Sequence, residues 1–224
     1  GDVYKRQSRN RGSGFLALPR ELDRFLEEIF KSCPMTVSIK TRIGVEDEEE
    51  WPQLLEIFEK YPLEELIIHP RLKTDQYKKN TIHWEAFKKA EESSRHSLCY
   101  NGDIVSKDDY EKVVQRFPGT EKIMIGRGIL KKPWLAEEIS NGDKKDSSRY
   151  KEELFEFHEE LLKGYMDYMS GDRNTLYKMK ELWAYLGTSF TNPERYMKKI
   201  RKSQHISEYR IWVGNLFREQ DLIW

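Results

Sequence analysis

Hydrophobic side chains recur along the first half of the chain in two alternating rhythms. From Pro19, "PRELDRFLEEIFKS" places Leu22, Phe25, Leu26, Ile29 and Phe30 on one helical face, with Pro19 suited to the first turn, where a missing N–H costs nothing. "MTVSIK" (35–40) then alternates with the period of a strand. The exchange repeats three times. A helix over 48–61, with Trp51, Leu54, Leu55 and Phe58 on one side, precedes a strand over 64–69. A helix over 83–93 precedes a strand over 97–102. A helix over 106–117, with Ser106 as its N-cap, precedes a strand over 122–126. Strands alternating with helices predict parallel βα units, and right-handed crossovers put the helices on one side of the sheet.

Past "NGDKKDSSRY" (141–150), a polar linker by its composition, the strand rhythm stops. Residues 151–169, 174–187, 193–203 and 207–220 all carry helical periodicity, which predicts a small all-α bundle. The expected fold class is therefore α/β. Four parallel strands form the C-terminal half of a (β/α)8 barrel over 12–140, and a helical domain follows over 151–224. "GDVYKRQ" (1–7) fits neither rhythm, and residues 1–11 are expected to be a non-native or unstructured N-terminus.

Composition narrows the function classes. The chain has 224 residues, 35% charged, with net charge zero, so any preference for nucleic acid must be local. No apolar run approaches the roughly 18 residues of a membrane span. Two cysteines, Cys33 and Cys99, form neither a disulfide framework nor a metal-ligand cluster, and a reducing cytoplasm is expected. Both are expected to be buried thiols. Charge is segregated in the helical half: residues 173–218 hold ten Lys/Arg against three acids, whereas 152–160 hold five glutamates. "RYMKKIRK" is the densest basic stretch. Arg195, Lys198, Lys199, Arg201 and Lys202 suit an RNA backbone, with Tyr196 available for stacking.

In barrels of this type the chemistry stands at the C-terminal ends of the strands. The predicted strands end at Lys40, at His69, at Asn101-Gly102-Asp103 and at Gly126-Arg127-Gly128. Parity puts Lys40 on the face opposite Val37 and Ile39, toward the barrel mouth. "NGD" and "GRG" are glycine turns on consecutive strands, where backbone N–H groups and a following helix favour an anion. The second "NGD", at 141–143, follows a helix, so Gly142 there reads as a helix C-cap.

The strings "SIKTRIG", "IIHPRLKTDQY", "NGDI" and "MIGRGILKKPW", in this order and spacing, resemble the tRNA-dihydrouridine synthases, and "GSGFLALP" resembles the segment that follows that family's catalytic loop. The resemblance implies a flavin enzyme that reduces uridine in tRNA, with FMN bound in the barrel and NADPH as electron donor. It implies that Lys40 sits near the N1/O2 edge of the flavin and His69 on its pyrimidine side. Asn101, Gly102, Asp103, Gly126 and Arg127 would hold the ribityl phosphate, and Arg71 would face the tRNA. The target uridine would be turned out of the RNA to meet the flavin. The family's Asn-x-Gly-Cys-Pro loop, whose cysteine is the acid, has no counterpart in the sequence. The chain thus reads as a C-terminal fragment lacking that cysteine and the first four strands, inactive by itself. Two alternatives stay open at this point: another FMN- or phosphate-binding barrel oxidoreductase, and a non-catalytic RNA-binding protein.

Overall fold

The computed structural model describes residues 11–76, 81–142 and 147–223. By internal contacts the chain divides into two compact units. One comprises Gly1–Gly102 with Glu111–Ile125; the other comprises Asp103–Tyr110 with Gly126–Trp224. The expectation of an unstructured N-terminus lies outside the described residues, apart from Arg11.

The first unit begins with a 3-10 turn, Gly12–Ala17, and continues as α1 (Pro19–Ser32), β1 (Ser38–Gly44), α2 (Trp51–Glu59), β2 (Glu65–Leu72), α3 (Trp84–Ser93), β3 (Ser97–Asn101), α4 (Lys107–Arg116), whose residues 107–110 group with the other unit, and β4 (Lys122–Met124). Pro19 is the first residue of α1. The strands form one parallel sheet in the order β1-β2-β3-β4, as the alternation predicts. Two strands run further than expected. β1 continues through Thr41, Arg42 and Ile43, because β2 lies alongside and pairs Thr41 with Ile68 and Arg42 with His69. Lys40 and His69 therefore lie within strands, not at their ends.

Parity sorts the sheet into two faces. Ile43, Leu66, Ile68 and Tyr100 are fully buried. Tyr100 packs edge-on against Phe87 of α3 at 5.1 Å and stacks on Trp84 at 6.0 Å. Trp51 of α2 donates its indole N–H to the Ala86 carbonyl at 2.8 Å, so its one polar atom is satisfied in this core. The other face is polar: Ser38, Lys40 and Arg42 of β1, Glu65 and His69 of β2, Asn101 of β3 and Lys122 of β4. Cys99 lies on this face and is buried, as expected. Cys33, at the end of α1, is only half-buried.

The second unit is helical: α5 (Arg127–Lys131), α6 (Leu135–Asn141), α7 (Ser147–Tyr168), α8 (Gly171–Leu186), α9 (Glu194–Lys202) and α10 (Ile206–Glu219). Gly142 caps α6 in the left-handed conformation (φ 71°) and donates to the Glu138 carbonyl, the role its position predicts. Of the stretch expected as a linker, Asn141 belongs to α6, α7 starts at Ser147, and 143–146 lie outside the described residues. The core joins α7 to α10 through Leu154, Leu162, Met179, Trp183, Leu186, Ile200 and Val213. An added Cβ on Gly187 would meet Met197 at 2.5 Å, so the small residue lets α9 seat against the end of α8. No helix among the described residues is long and apolar enough to cross a membrane.

Candidate functional site

The polar sheet face brings together residues that are distant in sequence. Lys40 and Arg42 share it on β1; His69 is the register partner of Arg42 on β2; Asn101 follows on β3. Arg42 is absent from the sequence-based candidates because "TRIG" reads as a loop. Its guanidinium donates to the Leu72 carbonyl, which ties β1 to the end of β2. The Lys40 side chain is exposed as a whole, yet partial burial of its amine lowers its pKa, with the Arg42 charge as the second cause. Lower on the same face Lys122 pairs with Glu65 at 2.9 Å. Burial, with the Glu65 charge next, raises the Cys99 thiol, so it is held as a neutral thiol rather than a nucleophile. Neither cysteine stands at a C-terminal strand end: Cys33 precedes β1 and Cys99 lies inside β3.

Arg71 departs from its expected place toward RNA. It is fully buried and donates to Thr81. The cause is local: the register slips between Arg42 and Gly44, which inserts an extra residue in β2 beside Pro70 and Arg71. Such bulges re-aim side chains, and proline in a sheet favours them. The backbone beyond Gly44 is equally constrained. An added Cβ there would sit 2.9 Å from the Asp47 carbonyl, because the following turn folds back over it. That turn is closed by a capping box of Asp47 and Glu50, with Glu50 accepting from the amides of Val45, Glu46 and Asp47.

The glycine turns behave differently from each other. Asn101 donates its amide to the Met124 carbonyl at 2.8 Å and so fastens β3 to β4. An added Cβ on Gly102 would lie 3.0 Å from the Tyr100 hydroxyl and 3.2 Å from Ile82, so a larger residue would crowd both side chains. In the second unit, Gly126 faces open space: a Cβ there would meet nothing within 4 Å. Its backbone is solvent-accessible, a property it shares with Gly12, Gly164, Gly171 and Gly214. Arg127 pairs with Asp103 at 2.9 Å, and both are partly exposed. Asp103 has φ 39°, a left-handed conformation that Asp tolerates better than most residues. The helix after Gly126 is only five residues long, so its dipole adds little.

In the same unit, α9 turns Tyr196 and Ile200 inward and exposes Arg195, Lys198, Lys199, Arg201 and Lys202. Tyr196 is core rather than a stacking platform: its hydroxyl meets a Glu219 carboxylate oxygen at 2.5 Å. The Lys199 ammonium lies 5.1 Å above the half-buried Trp212 ring. A continuous row of five cations on one solvated helix face matches a phosphate backbone better than it matches any apolar partner.

The chain is similar to a tRNA-dihydrouridine(16) synthase of Vibrio parahaemolyticus, 25% identical over 94% of this chain and 67% of the relative. It is similar to a probable tRNA-dihydrouridine synthase 2 of Bacillus subtilis, 30% identical over 67% of this chain and 46% of the relative. It also matches tRNA-dihydrouridine synthase B of Vibrio parahaemolyticus, 29% identical over 57% of this chain and 39% of that protein. The chain thus spans between 39% and 67% of the length of these relatives. The family model for dihydrouridine synthase matches residues 3–216, nearly the whole sequence, and on that match the chain belongs to the dihydrouridine synthase family.

Proposed function

We propose that the protein serves FMN-dependent reduction of uridine to 5,6-dihydrouridine in tRNA. The observation that carries this reading is the shared polar face of Lys40, Arg42 and His69 on adjacent parallel strands in a chain of this family. Lys40 and His69 are assigned to the flavin ring. A cation at Lys40 offsets negative charge on a reduced flavin, and its lowered pKa reflects the partly desolvated setting in which that charge counts most. Asn101 and Gly102 hold the strand end beside them. In the second unit, considered by itself, the exposed Gly126 backbone and Arg127, paired with Asp103, suit an anion. When bound, FMN supplies the hydride added to the uracil, with NADPH as the source of reducing equivalents. Arg195, Lys198, Lys199, Arg201 and Lys202 of α9 are assigned to the tRNA backbone.

The test uses this chain directly. Titration with FMN should quench flavin fluorescence saturably, and Lys40→Met or His69→Ala should weaken binding by about tenfold, the cost of one charge-assisted contact. Filter binding with a tRNA transcript should show a steep salt dependence. A folded chain that binds neither FMN nor tRNA would overturn the assignment.

A further inference from the structure

Beyond the residues assigned above, one side-chain cluster stands out near the end of β2. His83 lies between two carboxylates. Its Nδ1 is 2.7 Å from Glu48 Oε2 and its Nε2 is 3.1 Å from Asp75 Oδ2. Carboxylates accept and do not donate, so the imidazole is the donor in these contacts. The two nitrogens point to opposite sides of the ring, so the cluster converges on no common point. No group of His, Cys, Asp or Glu among the described residues is placed to hold a metal.

What the cluster joins gives it its meaning. Glu48 belongs to the turn after β1; Asp75 belongs to the loop after β2; His83 directly precedes α3. Asp75 also accepts the Leu72 amide at 2.7 Å, at the last residue of β2. The two loops are further laced by Lys73 N–H to the Gly44 carbonyl (3.0 Å) and Thr74 N–H to the Val45 carbonyl (3.1 Å). His83 N–H donates to the Pro70 carbonyl at 2.8 Å. Each of the bonds made by Leu72, Lys73, Thr74 and Pro70 has at least one end within five residues of Arg42 or His69. The His83 side chain is 23% exposed, Asp75 15% and Glu48 44%, so the contact with Asp75 is the sheltered one and that with Glu48 lies nearer the surface.

We propose that His83 is a positioning residue, a charge-assisted clamp that holds the loop after β2 against the turn after β1 and thereby fixes the segment of β2 that presents His69. The assignment of His69 to the flavin rests on the reading in the preceding section; the clamp itself does not. Other charged groups stand on the elements packed here: Glu46, Asp47, Glu49 and Glu50 on the turn, Arg71 and Lys73 at the end of β2, and Glu85 in the first turn of α3. Among the described residues, Glu48 and Asp75 alone meet the ring in ion-pair contacts.

Amide hydrogen exchange on the intact chain tests the clamp. At one fixed pH, the amides of Leu72, Lys73 and Thr74 should exchange about tenfold faster in His83→Ala than in the parent chain. Should that variant fail to fold, His83→Gln, which fills the gap without an imidazole, must show the same acceleration. Protection of these amides that is unchanged in the variant overturns the proposal. Failure of the chain to bind FMN would sink the flavin reading and leave the exchange result to decide the clamp.

Discussion

His158 shows how much one buried side chain can demand. It is fully buried in the helical unit, with Nε2 2.6 Å from the Tyr209 hydroxyl. That hydroxyl also receives the Trp183 indole N–H at 2.6 Å. Because Tyr209 accepts from Trp183, its own proton goes to His158 Nε2, and the His158 proton sits on Nδ1, 3.2 Å from Glu159. Burial, with the nearby Arg210 charge second, lowers the His158 pKa to about 4, below its ordinary 6.5. The sign of the linkage follows. Above pH 6.5 the ring is neutral in both folded and unfolded chains; below it the unfolded chain takes up a proton that the native core refuses. Stability should therefore fall as pH drops from 6.5 toward 4, by about 3 kcal/mol in all. Thermal melts over that range should show the loss, and His158→Gln should lower the starting melting temperature while flattening the slope. Periodicity reading places a histidine here only as surface or structural, since Tyr209 is 51 residues away. His83 is missed for the same reason, and Arg71 is expected to face the tRNA instead of the core: each is defined by partners elsewhere in the chain, Glu48 and Asp75 for one, Thr81 for the other. Lys40 was legible because parity within a strand is a local property.

At the scale of elements, α9 is the clearest case of a helix with two jobs. Tyr196 and Ile200, four apart, anchor it in the core, while its basic residues face water. The periodicity was readable; the mistake over Tyr196 came from weighing its aromatic ring ahead of its place in the helical repeat. Replacing Lys198, Arg201 and Lys202 together by Gln removes three exposed charges and leaves both anchors in place. The slope of log affinity for tRNA against log salt should fall by about 2 to 3, with the helical circular dichroism unchanged. Lys199 is left out because its contact with Trp212 also contributes to packing. An unaltered slope would remove α9 from the RNA interface. The strands teach a related lesson. β1 and β2 outrun their sequence patterns because each extends the other's ladder, and pairing partners are invisible to a window of one strand.

For the molecule as a whole, the division into two compact units predicts how it comes apart. Trp51 lies in the core of the sheet unit and Trp183 in that of the helical unit, both essentially fully buried. Variants retaining one or the other tryptophan should report two urea transitions with separate midpoints. Coincident transitions would mean that the units unfold as one. The pattern of βα repeats followed by uninterrupted helices announced both parts. That Asp103–Tyr110 group by contacts with Gly126–Trp224 depends on tertiary packing that composition does not record.

The separation of charge between α7 and α9 has a kinetic consequence. Counting side chains, α7 carries three more acids than bases, and α9 four more bases than acids. A body charged in this way turns in the field of a polyanion before it touches it. A larger share of collisions then begins with α9 in front, and those that begin with α7 are pushed off early. Added salt should accordingly slow capture far more than it shortens the life of the complex once formed.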